Sequence, residues 1–383
     1  MTLFRRAVLT AAAAVVLGSA AQPVPAAAEE RVVRIGLVAP LTGDQAYIGQ
    51  GCLNGARMAV EDANVRGPVF GQARLELVPL DDQHNPTQAV LAANKLVADP
   101  TVIGVVGHFN SSCTKAASAI YHEGRMVQVT PASTNPEISR QGFDTFFRVC
   151  ATDDVQAPAA ARYAYGRLGA RRAAIIDDQT TYGKGLADQF EKTFKDLGGE
   201  VLRRDGITQG EKDFAPLLTR IKVLKPELVF YGGVYPELAL LLKQSRKLGL
   251  KTQWMGGDGI YEASLIQLAG PDVAEGLYAT MLGVDPKTLP SAADFVKRYE
   301  ARHGEIGSFS TYAYDAANVI IEAARRAGAP DRQAVLSEVR ATKDHSGILG
   351  PVNFDENGDV VGRSVGIYRV ADGKFRFLEE AGS

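Results

Sequence analysis

The chain has 383 residues, with 42 basic residues against 44 acidic and a formal net charge of −2. That balance excludes the basic stripe expected of a nucleic-acid surface, and the length suggests about two domains, each able to bury its own core. Three cysteines, Cys52, Cys113 and Cys150, and five scattered histidines give neither a small disulfide framework nor a metal-ligand spacing, so neither a metal nor a cofactor is expected.

Arg5 and Arg6 precede an apolar stretch, Ala7 to Ala21, and the small residues Ala26, Ala27 and Ala28. A basic start, a short apolar middle and a small-residue exit describe a secretory signal peptide, and the apolar run is short for a membrane span. The two arginines also make a twin-arginine route conceivable. Cleavage after Ala28 leaves 355 of the 383 residues, and the loss of two arginines leaves 40 basic against 44 acidic. No later stretch is long and apolar enough to cross a membrane, so an exported soluble protein is expected.

From Val32 the pattern is strand then helix, repeated. Val32 to Ala39 reads as a strand, Gly49 to Asn64 as a helix, Arg74 to Leu80 as a strand, and Pro86 to about Ala98 as a helix with proline at its first position. Val102 to Val106 and Met126 to Val129 are short apolar runs suited to buried parallel strands, with a helix near Ser112 to His122 between them. Phe146 to Cys150 reads as a strand leaving this sheet, and Asp153-Asp154 as the cap of a helix to Leu168.

A second series follows. Its strands are Arg172 to Asp177, Glu200 to Gly206, Leu228 to Tyr231 and Thr252 to Gly256; its helices are Tyr182 to Leu197, Asp213 to Leu224 and Pro236 to Leu248. Two doubly wound α/β units in tandem are the expectation. Helices Ala292 to His303, Thr311 to Ala327 and Arg332 to Ala341, hairpin material from Gly347 to Gly362, and a strand Val365 to Val370 close the chain. So many helices with so little strand must complete the existing units, which makes the chain cross between lobes more than once and puts a ligand site at their junction.

The stretch from Val102 to Ser139 ends both its strands in small hydroxyl residues: Ser111 and Ser112 at a helix N-terminus, and Thr130 to Thr134 after the second strand. Neighbouring parallel strands deliver such loops to one crevice, where helix N–H groups favour an anion. Ser111 and Thr134 can equally be plain helix caps. The pairs Asp81-Asp82, Asp153-Asp154 and Asp177-Asp178 read as caps or solvated residues. Asp258, in Trp254-Met255-Gly256-Gly257-Asp258-Gly259, lies past a strand between glycines and is either a turn residue or a carboxylate facing an ammonium group. The Gly49 to Gly55 cluster departs from a dinucleotide fingerprint in spacing and context, and no nucleophile elbow, phosphate loop or paired zinc histidines is present.

The segments GHFNSSCT, VTPASTNPE, DDQTTYGKGLA, DGITQGEKDF, FYGGVYPE, GLKTQWMGGDG and GPVNFDENGD, in this order, resemble the leucine/isoleucine/valine-binding family of bacterial ABC-transporter solute receptors across nearly all of the mature chain. The resemblance implies an α/β, type I periplasmic-binding-protein fold of two doubly wound lobes joined by three crossovers. The expected lobes are residues 29–152 with 282–360, and 153–281 with 361–383.

It further implies carboxylate contacts from Ser111 and its backbone, contacts to both ends of a zwitterion from Ala132 and Thr134, an ammonium partner in Asp258, and a covering aromatic in Tyr182. Asn110 and His84 stand where some relatives carry a disulfide, so none is expected here. Ile48 and Val234 replace tyrosines of the side-chain pocket, with Tyr235 adjacent, which leaves the clamp and changes side-chain preference. The implied protein is a non-enzymatic, monomeric periplasmic receptor. It captures an L-amino acid, branched-chain or otherwise aliphatic, and passes it to an inner-membrane ABC permease. The alternatives are a receptor for an aromatic acid or amide ligand, and an exported α/β enzyme.

Overall fold

The computed structural model describes residues 32–71 and 73–381. The signal-peptide reading, residues 1–28, lies outside them. The chain first lays down β1 (Val32–Ala39), α1 (Ala46–Arg66), β2 (Arg74–Asp81), α2 (Pro86–Ala98), β3 (Val102–Gly107), α3 (Ser111–Glu123), β4 (Val127–Thr130) and β5 (Phe146–Arg148). These strands form one parallel sheet in the order β2-β1-β3-β4-β5. β3, an apolar run, and β4, which alternates valine with Gln128 and Thr130, are buried at every position because helices cover both faces. Phe146 to Arg148 does not leave this sheet as the sequence suggests; it pairs with β4 as an edge strand.

The second lobe begins with α4 (Asp153–Gly166), β6 (Arg172–Asp177), α5 (Thr181–Asp196), β7 (Glu200–Gly206), α6 (Ala215–Leu224), β8 (Leu228–Gly232), α7 (Tyr235–Leu248) and β9 (Gln253–Gly256). It continues through α8 (Ala263–Ala269), α9 (Pro271–Ala274) and β10 (Tyr278–Met281). The chain then returns: α10 (Ala293–His303), α11 (Ser310–Ala327) and α12 (Arg332–Arg340) pack on the first lobe, α11 against α1, β3 and β4. A small hairpin, β11 (His345–Gly347) and β12 (Gly350–Val352), precedes the last passage into β13 (Val365–Ala371) and β14 (Lys374–Ala381). The second sheet runs β14-β13-β10-β9-β8-β6-β7, with β13 alone reversed, antiparallel to both its neighbours, β10 and β14. The chain therefore passes between the sheets three times, and the fold is the two-lobed α/β architecture expected.

β10 and β14 escape sequence reading. The first is four residues long, and the second is an edge strand with exposed charge. The glycine cluster of α1 has a packing role: a Cβ at Gly49 would overlap the Pro40 carbonyl, and one at Gly55 the Ser310 carbonyl, where α1 crosses the start of α11. Trp254, the single tryptophan, is 6% exposed in the core at β9. Among the described residues, no helix is long and apolar enough to cross a membrane.

Candidate functional site

A cavity of about 460 Å³ lies between loops that follow the carboxyl ends of parallel strands in both sheets. The first lobe contributes His84, Pro86, Phe109 to Ser112 and Ala132; the second contributes Asp178 to Thr180, Tyr182, Thr208, Gln209, Val234, Asp258 and Gly259. In each sheet the strand order reverses at this end, between β1 and β3 and between β6 and β8, which is where open α/β sheets bind ligands.

On the first-lobe side, α3 starts at Ser111 and Asn110 makes no side-chain cap, so the first N–H groups of the helix are uncapped beside the cavity. The loops after β3 and β4 are fastened to one atom, the His108 carbonyl oxygen, which accepts from the hydroxyls of Thr130 (2.7 Å), Ser133 (3.1 Å) and Thr114 (3.2 Å). The fully buried His108 ring is held at both nitrogens, Nδ1 2.8 Å from Asp82 and Nε2 3.1 Å from the Tyr121 hydroxyl. Arg148, also fully buried, donates to the carbonyls of Ser133 (2.6 Å) and Asn135 (3.1 Å) and pairs with Asp359 on the third crossover.

The second-lobe side is built around Asp258, 3% exposed. Its Oδ1 accepts from the Tyr182 hydroxyl and from Gln156 Nε2, each at 2.8 Å. Gln156 Oε1 in turn accepts from the Asp258 N–H (2.7 Å) and the Thr280 hydroxyl (2.6 Å), while the Tyr182 oxygen accepts from the Gly259 N–H (3.0 Å). Burial raises the Asp258 pKa to about 6, with the bonds from Gln156 and Tyr182 opposing. Burial raises Asp153 well above the usual carboxyl range, and the neighbouring charge of Asp258 adds to it. Asp178 is pushed to about 7 by burial, against the stabilising bonds from Thr180.

The lobes touch over the cavity. The Thr181 N–H donates to Ser112 Oγ (3.0 Å), and Asn135 Nδ2 donates to the Thr181 carbonyl (2.6 Å), tying the start of α5 to the first lobe. The Tyr235 hydroxyl bonds the Asp44 carbonyl from the opposite lobe.

Of the residues singled out in the sequence, Asn110, Ser111, Ala132, Tyr182, Val234 and Asp258 line the cavity together. Thr134, Ile48 and Tyr235 do not. Thr134 is wholly buried, its carbonyl accepting from Asp153 N at the head of α4, and Ile48 and Tyr235 are core residues. The reading of the aspartate pairs as caps or solvated residues is corrected for Asp82, Asp153 and Asp178, each 2% exposed or less. Asp82 is buried with His108, far away in sequence, whereas Asp153 and Asp178 bond the nearby Gln156 and Thr180. Gln156 was missed altogether, and His84 was singled out only as standing where some relatives carry a disulfide; a lone amide in the alanine-rich α4 is the one local signal that marks Gln156. Cys52, Cys113 and Cys150 are buried and free. Among the described residues no group of three His, Cys, Asp or Glu could hold a metal ion.

Residues 32–374 match the family profile described as periplasmic binding protein. The Leu/Ile/Val-binding protein homolog 1 of Brucella suis is 34% identical over 351 residues, covering 91% of this chain and 94% of that one. An amino acid binding protein of Pseudomonas aeruginosa is 35% identical over 378 residues, covering 98% and 99%. The crystal structure of a leucine binding protein from Thermotoga maritima superposes with a TM-score of 0.85 at 34% identity, covering 91% of this chain and 99% of that one. A branched-chain amino acid transporter substrate binding protein from Streptococcus pneumoniae, solved with isoleucine, gives 0.85 at 25% identity, covering 92% and 100%. The chain belongs to the periplasmic binding protein family, whose members are solute-binding proteins.

Proposed function

We propose that this chain is the periplasmic receptor of an ABC importer that captures an L-amino acid, branched-chain or otherwise aliphatic, and acts by binding alone. The observation that carries the reading is Asp258: an enclosed carboxylate, oriented by Tyr182 and Gln156, on the same cavity wall system as the uncapped start of α3. A zwitterion fits both ends. Its carboxylate meets the N–H groups at Ser111 and its ammonium meets Asp258, with Ala132 on the first-lobe wall and Tyr182 covering the ligand. Thr134 supports the loop from behind. Val234 gives the side chain an apolar wall, with Ile48 and Tyr235 backing the site from the core.

The lobes of this reading are residues 29–152 with 282–360, and 153–281 with 361–383. The ligand draws contacts from both, so it favours the closed arrangement that the Thr181 bonds describe, and that closed form, as a monomer, docks on an inner-membrane permease. A signal peptide at residues 1–28 delivers the chain to the periplasm. Calorimetric titration with alanine, valine, leucine and the deaminated acid of leucine tests the proposal. Each buried ligand methylene adds about 0.8 kcal/mol, near fourfold, so leucine should exceed alanine by roughly tens-fold. The deaminated acid, which leaves Asp258 unpaired, should bind on the order of a hundredfold more weakly. Equal binding of leucine and its deaminated acid would remove the clamp.

A further inference from the structure

Two first-lobe cavity residues outside the zwitterion clamp have one end fixed and the other without a partner. Asn110 Nδ2 donates to Gln45 Oε1 at 2.8 Å, and Gln45 is 1% exposed. His84 Nε2 lies 3.2 Å from Asp44 Oδ1. Consecutive residues of the loop after β1 thus orient both side chains, and Tyr235 pins that loop from the second lobe. The remaining atoms, Asn110 Oδ1 and His84 Nδ1, are buried and take no hydrogen bond among the described residues. Both side chains line the cavity, and Gln179 and Gln209 line it from the other lobe. Buried polar atoms are satisfied in the great majority of native structures, so these two orphans, with Asp178 Oδ2 on the opposite wall as a third, point to a ligand group.

From this arrangement we infer that the cavity holds a second, polar subsite that accepts an ω-carboxamide, making amino acids with an amide side chain ligands of this receptor. The inference rests on the amino-acid reading above. The chemistry of the orphans selects the group. The unpartnered atom of Asn110 is its carbonyl oxygen, which requires a donor. His84 carries its Nε2 proton toward the Asp44 carboxylate, so its Nδ1 accepts when neutral and donates when the ring is protonated. The hydrogen bond and charge of Asp44, with Glu237 and Asp82 beyond it, raise the His84 pKa against an opposing burial effect, favouring the donating form. A carboxamide supplies its N–H to Asn110 and its carbonyl to His84. A carboxylate would set oxygen against oxygen at Asn110, an ammonium would face the imidazolium, and an aliphatic side chain would leave both atoms unpaired.

The test is calorimetric titration of the purified protein with L-glutamine, L-glutamate, L-lysine and L-leucine. Glutamine should bind, and at least tenfold more tightly than glutamate or lysine. Asn110→Leu should lower the glutamine-over-leucine affinity ratio about tenfold or more, and His84→Phe, read the same way, serves if the first variant does not fold. Leucine binding without glutamine binding overturns the subsite and leaves the receptor reading standing, as does glutamine binding no tighter than glutamate or lysine. Absence of binding by all four overturns both. A ratio unchanged within threefold in the folded variants also refutes the subsite.

Discussion

As the proposed ammonium partner, Asp258 places opposite demands on the free and the liganded protein. In the unfolded chain it ionises at 3.8, in the fold only at about 6. Below about pH 4 both states hold the proton and the residue does not affect stability. Between about 4 and 6 the unfolded chain loses its proton first, so stability falls as pH rises; above about 6 the full penalty, about 3 kcal/mol, is present. The ligand-free Asp258→Asn protein should therefore exceed wild type in stability by roughly 1–3 kcal/mol at neutral pH and match it near pH 3.5, as urea unfolding would measure. Ligand affinity should move the other way. An ion pair that loses one buried partner weakens by about 3–5 kcal/mol, so the variant should bind leucine at least 10²-fold more weakly on this order of magnitude. Wild-type affinity should also fall about tenfold per unit below about pH 6, because an ammonium requires the carboxylate form. A wild-type affinity that stayed flat from about pH 5 to 7 would sink the assignment of Asp258 as the ammonium partner.

At the scale of elements, closure is read at one peptide. Thr181 begins α5, and its N–H and C=O are both held by first-lobe side chains, Ser112 and Asn135. Neither bond reaches a ligand, and Asn135→Ala removes the second of them together with the Glu137 N–H bond to Asn135 Oδ1, which lies inside the first lobe and is common to open and closed forms. Losing one such bond, worth about 0.5–1.5 kcal/mol, should raise the dissociation constant roughly two- to tenfold, mainly through faster release in stopped-flow traces. Unchanged release would mean that the bond does not hold the lobes together. The elements themselves were largely legible because buried parallel strands are continuous apolar runs and their helices carry regular caps and stops. What failed has physical causes. β10 is too short to show a period, β14 carries charge on an exposed edge, and β5 was misjudged because the partner that makes it an edge strand is set by tertiary packing. At the site, glycine-flanked Asp258 was readable, whereas Asp153 and Gln156 look like ordinary helix residues until β9 and β10 are folded beside them.

For the whole molecule, three crossovers mean that neither lobe is a continuous piece of chain. The first sheet depends on α11, which is buried along most of its length against α1, β3 and β4 and reaches them only after the second lobe has been made. A chain ending at Met281 would leave that apolar face uncovered, and at about 25 cal/mol per Å² the loss exceeds the usual stability of a domain. It should fail to give a cooperative thermal transition by circular dichroism; a folded, cooperatively melting fragment would show that the first lobe is independent of the return passage. β9 carries one more consequence, an optical one. Its Trp254 is the only indole in the protein, sealed in the core and absent from the cavity wall, although the same strand leads to Asp258. Emission excited at the indole should therefore be blue-shifted and nearly blind to ligand entry, changing only when the second lobe melts. A fluorescence titration of the native protein would then return a flat line even at saturation, and an optical assay of binding would need an indole introduced at the cleft.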